Sequence, residues 1–519
     1  MKVTALQPIT TNSKIHCPRQ RQGYLIAFGG DSISIPLLTI IAYVVIVLAI
    51  SAFFTKKSIR SYEEYTVAST SLGFFFTFFT YFTTWISGAT IIGLATMSFK
   101  WGLYQYWFLA VTYIMGAISG PIFLTRIREL NVYTVGDFFA LRFAPFEKIV
   151  RLLVAASMLC RNLTIIGAQF TTVAFFISIG FNIEFNRVLY FTALFIVTYT
   201  ALSGMWGVAG TDVFQGLIQM VGIPVLIFYI VRYAGGLDGI FSFYDKIDGT
   251  SYLKIFENAD KTTEIMFLLL APGLFFIIED QATWQRIVSS KSEKVAFWGY
   301  LAPIGASLFW LLTPCLIGVF SKAIFPNFTA YPVALLNFIF SLPQTATLII
   351  MFAILSAAVS TSDSYLLASG MIFSQDIMRK VFNVKASDDH LIFFTRVGIA
   401  LSGLLSMIAG MRVYDIFDLY MLGAYIGGST LTVPYLLAWF SKRMNGVGLV
   451  AGILCSAAVF AVCTQVLIFS YSVSMMLGMA ANLVFAYLFC LIGPPPAREE
   501  IDSTYYFSPR FLKIGNIPK

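Results

Sequence analysis

The sequence predicts an all-α membrane protein with about thirteen transmembrane helices. Three observations predict it. Of the 519 residues, 58% are hydrophobic and 12% charged, where soluble domains carry about 25% charged residues. The mean hydropathy is +0.80. Apolar runs of about 20 residues, the length that crosses a hydrocarbon core, recur along nearly the whole chain. Finally, Lys and Arg concentrate in alternate connections between those runs, as the positive-inside rule requires of a polytopic protein.

Taken in order, residues 1–32 are polar, with Lys2, Lys14, Arg19 and Arg21, and are expected to be a poorly ordered N-terminal segment. Predicted spans follow at 33–54, 72–97, 104–124, 150–180, 187–206, 210–233, 263–281, 296–321, 345–372, 391–411, 415–440, 447–470 and 472–493. The connections after spans 1, 3, 7, 9 and 11 hold Lys56, Lys57, Arg60, Arg126, Arg128, Arg142, Lys148, Arg286, Lys291, Lys294, Arg379, Lys380, Lys385, Lys442 and Arg443. This places them in the cytoplasm, with the N-terminus outside and the tail inside. The loop at 125–149 mixes Arg and Phe at near-helical spacing and is expected to be an interfacial helix. From Pro494 the chain reads as a cytoplasmic tail, 494–519, opening on a linker without a fold of its own.

Composition also excludes functions. In a membrane chain the net charge of +8 is loop charge and no sign of nucleic-acid binding. The six cysteines show no paired spacing, so neither a disulfide framework nor a zinc site is expected. Two histidines leave little material for histidine catalysis, and no P-loop motif is present. With no catalytic constellation in sight, an enzyme is not expected. The energy for any work the chain does is expected to come from an ion gradient.

The stretch Ala353–Asp376, AILSAAVSTSDSYLLASGMIFSQD, organises the functional reading. It is long enough to span, yet carries Ser360, Thr361, Ser362, Asp363, Ser364 and Ser369. Ser360, Asp363 and Ser364 fall on one helical face, with Thr361 beside them. Such oxygens suit a small hard cation. They equally suit close helix packing, where Ser and Thr hydrogen-bond across membrane helices. Two other spans are interrupted: the second by Thr83-Thr84-Trp85-Ile86-Ser87-Gly88-Ala89-Thr90, the seventh by Ala271-Pro272-Gly273. Breaks at matched places in two halves mark transporter sites built from inverted repeats, although either alone is an ordinary membrane-helix kink. Carbonyls released at the first break and hydroxyls of the ninth span can hold one cation between them, so that ion binding joins two helices.

Short motifs then carry a resemblance over about residues 62–443. They are Thr84-Trp85-Ile86-Ser87-Gly88, Thr134-Val135-Gly136-Asp137 with Arg142-Phe143, Ser203-Gly204-Met205-Trp206 with Thr211-Asp212-Val213-Phe214-Gln215, Asp280-Gln281 with Gln285-Arg286, and Ala357-Ala358-Val359-Ser360-Thr361 with Asp376-Ile377. In this order and spacing the chain resembles the sodium/solute symporters, whose members carry sugars, proline, pantothenate, iodide or sialic acid. The resemblance implies a LeuT-like five-plus-five inverted repeat over about 72–233 and 263–440, within a transmembrane domain at 33–493. It implies alternating-access uptake of a small polar solute with Na+ as the co-transported ion and no organic cofactor. The alternative is a transporter-like membrane sensor that does not turn over. A multi-pass monomer in a bacterial inner membrane, contacting lipid and solute only, is the expected setting.

The resemblance places a sodium site on the carbonyls of Thr83, Ile86 and Ala357 and the hydroxyls of Ser360 and Thr361. It suggests a second around Asp212, Asp363 and Ser364, against the alternatives that the two acids are hydrogen-bonded supports or that one of them is protonated. It lines a solute cavity with Ser87, Thr90, Asp280 and Gln281, and more weakly with Gln105 and Tyr420. Asp280 replaces the Asn of sugar carriers, and Thr283 stands where they have a stacking Tyr, so sugar is disfavoured. Arg161, inside the fourth span, lies at or next to a carboxylate-binding position. It reads as a carboxylate clamp, as the partner of a buried Asp, or as a snorkelling side chain. The clamp would favour an amino acid or another carboxylate. Arg396 reads as an anchor or gate contact.

Overall fold

The computed structural model describes residues 34–247, 249–256, 279–328, 331–412 and 415–505. The expected disordered segment, the Ala271-Pro272-Gly273 break and the end of the tail lie outside the described residues. Among the described residues every regular element is helical.

Helix α1 is Ser34–Ser58, followed by a short α2, Tyr62–Val67. The second predicted span is two helices, α3 (Phe74–Trp85) and α4 (Gly88–Trp101), bent by 46° at the break. Ile86 (ψ 77°) and Ser87 (ψ 160°) leave helical geometry, and the Ser87 hydroxyl restarts the helix by accepting from the Thr90 N–H at 3.0 Å. Gly88 permits the bend to sit close to its neighbour, since a Cβ there would meet the Ala358 Cβ at 2.8 Å.

Helices α5 (Trp107–Leu130), α6 (Val135–Arg142) and α7 (Glu147–Phe181) follow. The interfacial helix expected over 125–149 is thus shorter. Asn131, in the left-handed conformation, ends α5, and Thr134 and Asp137 start α6 with a reciprocal capping box. Nor does α6 lie on the lipid surface: most of it is buried, and Arg142 binds the carbonyls of Ala438 and Ser441 at 3.3 and 2.8 Å.

Helix α8 runs Phe185–Tyr233, 49 residues or about 73 Å, over twice the hydrocarbon thickness. It therefore makes two passes, divided at Gly204 (φ 58°, ψ −160°), where a side chain would strike the Tyr65 carbonyl at 2.7 Å. Helix α9 is Gly236–Lys246. Residues 257–278, where the seventh span is expected, lie outside the described residues; then come α10 (Gln281–Ser289), α11 (Glu293–Trp310), α12 (Leu312–Lys322) and α13 (Tyr331–Ser341), the last not foreseen as an element.

Helix α14, Gln344–Met371, is the most deeply buried of the described spans and runs on as a π-helix from Ile372 to Val381. It packs on α8, α7, α3 and α4. Helices α15 (Asp388–Arg412), α16 (Ile416–Phe440), α17 (Gly446–Gln465) and α18 (Tyr471–Cys490) complete the bundle. A short α19, Arg498–Thr504, gives the tail local structure that its linker-like composition did not suggest. The connections rich in Lys and Arg meet at one end. There the Tyr65 hydroxyl and Arg396 both donate to the Ala201 carbonyl, at 2.6 and 2.8 Å.

Candidate functional site

The break in the second span leaves the last carbonyls of α3 without helical partners, and they must find others. Each finds a hydroxyl. The Trp85 carbonyl accepts from Tyr113 on α5 at 2.9 Å. The Thr83 carbonyl lies 3.3 Å from the Ser360 hydroxyl and 3.5 Å from that of Thr361, and the Thr84 carbonyl 3.2 Å from Thr361, whose single proton serves one of them at a time. Within α14 the same hydroxyls face the Ala357 carbonyl, at 3.3 Å from Ser360 and 3.0 Å from Thr361. Thr83, Ile86, Ala357, Ser360 and Thr361 are buried. The separations bear on two roles, hydrogen bonding and ion ligation. A pure O–H···O bond prefers about 2.7–2.8 Å. Oxygens about 2.3–2.6 Å from a shared cation, as around Ca2+, lie about 3.3–3.7 Å apart at right angles. Three of the five separations fall in that range, and the other two, 3.2 and 3.0 Å, lie between it and the hydrogen-bond range.

One helical turn further on, α14 presents Asp363 and Ser364. The structure brings Asp212, Asp363 and Ser364 together, but around a side chain. The guanidinium of Arg286, on α10, reaches Ser364 at 2.5 Å, Thr84 at 2.7 Å and Thr80 at 3.1 Å. Thr80 in turn donates to Asp212, and Tyr199 donates to Asp363 at 2.6 Å. Thr84, Thr80 and Tyr199 were not read as site members. Threonine inside an apolar helix signals packing as readily as ligation, and only the fold shows which.

The third cluster lies between α4, α7, α10 and α16. Arg161 pairs with Asp280 at 3.3 Å, the buried-acid partnership among the three roles its position allowed. The other Asp280 oxygen caps α10, accepting from the Thr283 N–H at 3.0 Å. Glu279 was missed by sequence reasoning, although an acid next to Asp280 at the end of an apolar run was the available signal. It is buried and accepts from Thr432 at 3.1 Å, and its Oε2 has no hydrogen-bond partner among the described residues. Tyr365 contacts Arg161, and Thr90 contacts the Tyr420 hydroxyl. Ser87 and Thr90 share a hydrogen bond of 2.7 Å. Gln169 was also missed: its carbonyl oxygen accepts from the Ala89 N–H at 3.1 Å, and its Nε2 has no partner among the described residues.

Gln281 stands apart from this cluster. Gln281 follows the α10 cap and points the other way. Its amide binds the Val135 N–H at 2.9 Å and the Tyr133 carbonyl at 3.2 Å, so it staples α6 instead of lining a cavity. Gln105 is buried in a 3-10 turn before α5, with Oε1 unpartnered among the described residues. At the basic end, Arg151 spans Asp137 at 2.7 Å, Asp376 at 2.8 Å and Glu147 at 3.0 Å, and Thr134 donates to Asp376 at 2.8 Å. Two distant sequence motifs thus form one buried clasp.

Residues 65–456 match the sodium:solute symporter family. The chain belongs to that family. Its relatives include the high-affinity choline transporter 1 of Caenorhabditis elegans, 24% identical over 80% of this chain and 75% of that protein. They include the high-affinity proline transporter PutP of Bacillus subtilis (strain 168), 25% identical over 87% of this chain and 97% of that one. The structure of a Na+-coupled sialic acid symporter, substrate-bound and outward-open, superposes with a TM-score of 0.74 at 18% identity, covering 89% of this chain and 99% of that one. The symporter is an all-α, multi-pass membrane protein with the LeuT-like five-plus-five inverted repeat.

Proposed function

We propose that this symporter takes up a small zwitterionic or carboxylated solute, an amino acid before a sugar, driven by sodium entering at the Thr83–Thr361 cage. The observation that carries the reading is the meeting of released α3 carbonyls with the Ser360 and Thr361 hydroxyls of α14. A desolvated cation there gains ligands from both helices at once, so it favours the conformation in which they touch. Ile86 is the remaining carbonyl assigned to the ion.

The solute class follows from the third cluster. Arg161 and Asp280 are opposite charges at membrane depth, where an unpaired charge is costly. A zwitterion can exchange into such a pair without leaving either partner bare, its carboxylate on Arg161 and its ammonium on Asp280 and the neighbouring Glu279. Ser87, Thr90 and Tyr420 supply neutral polar contacts. A sugar offers no charge to replace the one it would displace. The working location is the cell membrane, a bacterial inner membrane.

Uptake of labelled amino acids, carboxylates, choline and sugars into proteoliposomes, with and without an inward sodium gradient, tests this. Sodium-dependent accumulation of a zwitterion or carboxylate is expected. Accumulation indifferent to sodium refutes the coupling. A solute that stabilises the protein but never accumulates would favour the sensor.

A further inference from the structure

Among the described residues, the buried acids at the start of α10 outnumber the bases beside them. Glu279, Asp280 and Arg161 are 0, 3 and 1% exposed. Asp280 has partners for both oxygens. Its Oδ2 accepts from the N–H and the hydroxyl of Thr283 at 3.0 and 3.2 Å, and its Oδ1 faces Arg161 at 3.3 Å. Glu279 is different. Its Oε1 accepts from the Thr432 hydroxyl at 3.1 Å, while its Oε2 has no hydrogen-bond partner among the described residues. Both acids act on the one guanidinium of Arg161. Tyr365 on α14 and Tyr435 on α16 lie beside them and add no positive charge. Glu279 also stands outside every motif that carries the family resemblance.

Two carboxylates against one guanidinium leave a negative charge unbalanced, which at this depth is strongly disfavoured. The bare Oε2 marks where the balancing group belongs, and its chemistry is narrow. Water fills the lone pairs and adds no charge. A proton cancels the charge but leaves Oε2 unmatched in either position, as a donor without an acceptor or as a bare acceptor. A metal ion needs several oxygen ligands, where Oε2 is one. A cationic N–H donor matches the oxygen and cancels the charge at once.

The position suits a solute with some reach. Arg161 packs on Gly427 of α16, where a Cβ would meet its Cδ at 2.9 Å. Thr432, which holds Glu279, lies five residues further along α16, about 7.5 Å on a helix. Five single bonds of about 1.5 Å, as between the α-carbon and the terminal amine of lysine, extend about 6 Å.

We propose that Glu279 receives a second cationic group of the solute, so that the favoured solute is a diamino monocarboxylate of net positive charge. Its carboxylate lies on Arg161, its α-ammonium on Asp280 and its side-chain ammonium on Glu279. This rests on the zwitterion-symport reading and narrows it to solutes with a second positive charge.

Binding and sodium-driven uptake of lysine and ornithine, each against its counterpart without the side-chain amine, norleucine and norvaline, test the proposal on the purified full-length chain in proteoliposomes. The wild-type chain is expected to bind the basic member of each pair about 10- to 150-fold more tightly, the range of one charge-assisted contact. Glu279→Gln keeps an acceptor for Thr432 and removes the charge, and is expected to erase that preference. Sodium-driven uptake of a solute without a second cation, bound as tightly as the basic ones or more so, overturns the proposal. It leaves the symport reading intact, and it does so whether or not Glu279→Gln folds. A folded Glu279→Gln chain with the wild-type preference overturns the proposal too. Absence of sodium-driven uptake for every zwitterion and carboxylate offered overturns the proposal and the symport reading together.

Discussion

Thr361→Val removes one hydroxyl and little else, and its effect on sodium can be sized from the structure. Thr361 is fully buried and its Oγ1 lies within 3.5 Å of the carbonyls of Thr83, Thr84 and Ala357. Valine keeps the branched shape, so packing on α3 is retained. A ligand contact to an ion is charge-assisted, worth about 1.5–3 kcal/mol, which is about 10- to 150-fold in affinity. Without sodium the same change leaves the Thr84 carbonyl short of a partner, which costs about 1–3 kcal/mol of stability. The variant should therefore be less stable in sodium-free buffer and should also need far more sodium to recover. Thermal unfolding of the purified protein across a sodium titration, with potassium holding ionic strength constant, reads both effects. Thr361→Ser keeps the hydroxyl and should track the wild type within a few-fold. If Thr361→Val kept the wild-type sodium midpoint while Ser360→Ala did as well, the cage would be helix packing and no ion site.

Other consequences can be checked in the same preparation. Arg161→Ala leaves Asp280 buried without its partner, a loss of about 3–5 kcal/mol, and should abolish uptake of every carboxylated solute; unchanged uptake would remove Arg161 from the solute site. Arg151→Met strips Asp137 and Asp376 of a shared cation at side-chain exposures of 10% and 2%. It should raise thiol labelling of cysteines introduced behind α6 from the basic side, and labelling no faster than wild type would show that the clasp closes nothing. Gly88→Leu forces side-chain atoms into the space that the Ala358 Cβ already limits at 2.8 Å, so sodium stabilisation should disappear; a variant with wild-type sodium dependence would mean that the break need not touch α14.

The spans were legible because bilayer thickness imposes their length and apolarity, and the break at Ile86–Ser87 because hydroxyls and glycine interrupt an aromatic run there. The meeting of that break with Ser360 and Thr361 was legible through family motifs more than through periodicity, since oxygen-rich helix faces also serve packing. The part that escaped is the part that depends on which way a side chain turns. Asp280 and Gln281 are adjacent, yet one points at Arg161 and the other at α6, a difference set by the capping geometry at the start of α10. Arg286 was visible as a motif residue in a basic connection, and nothing in its spacing said that its guanidinium folds back between α3 and α14. Helix α6 was drawn to the lipid surface by its Phe content, whereas Arg142 holds it among the carbonyls of 438 and 441.

Helix α14 joins these separate pieces into one device. Thr361 in its middle faces the ion cage, and Asp376, in its π-helical extension, is gripped by Arg151 and Thr134. Fifteen residues separate the two positions, about 22 Å along a helix. Between them, at Ile372, the helix passes from α to π geometry, a rare departure that concentrates at functional sites. An ion shifts the equilibrium only by its differential affinity for the two states. Here that difference has a defined source: the cage exists only while α3 and α14 are in contact. The clasp at the basic end has its own charge balance and does not include the cage oxygens. If sodium binds the cage as proposed, the cage and the clasp at the basic end are linked through one helix and share no oxygen.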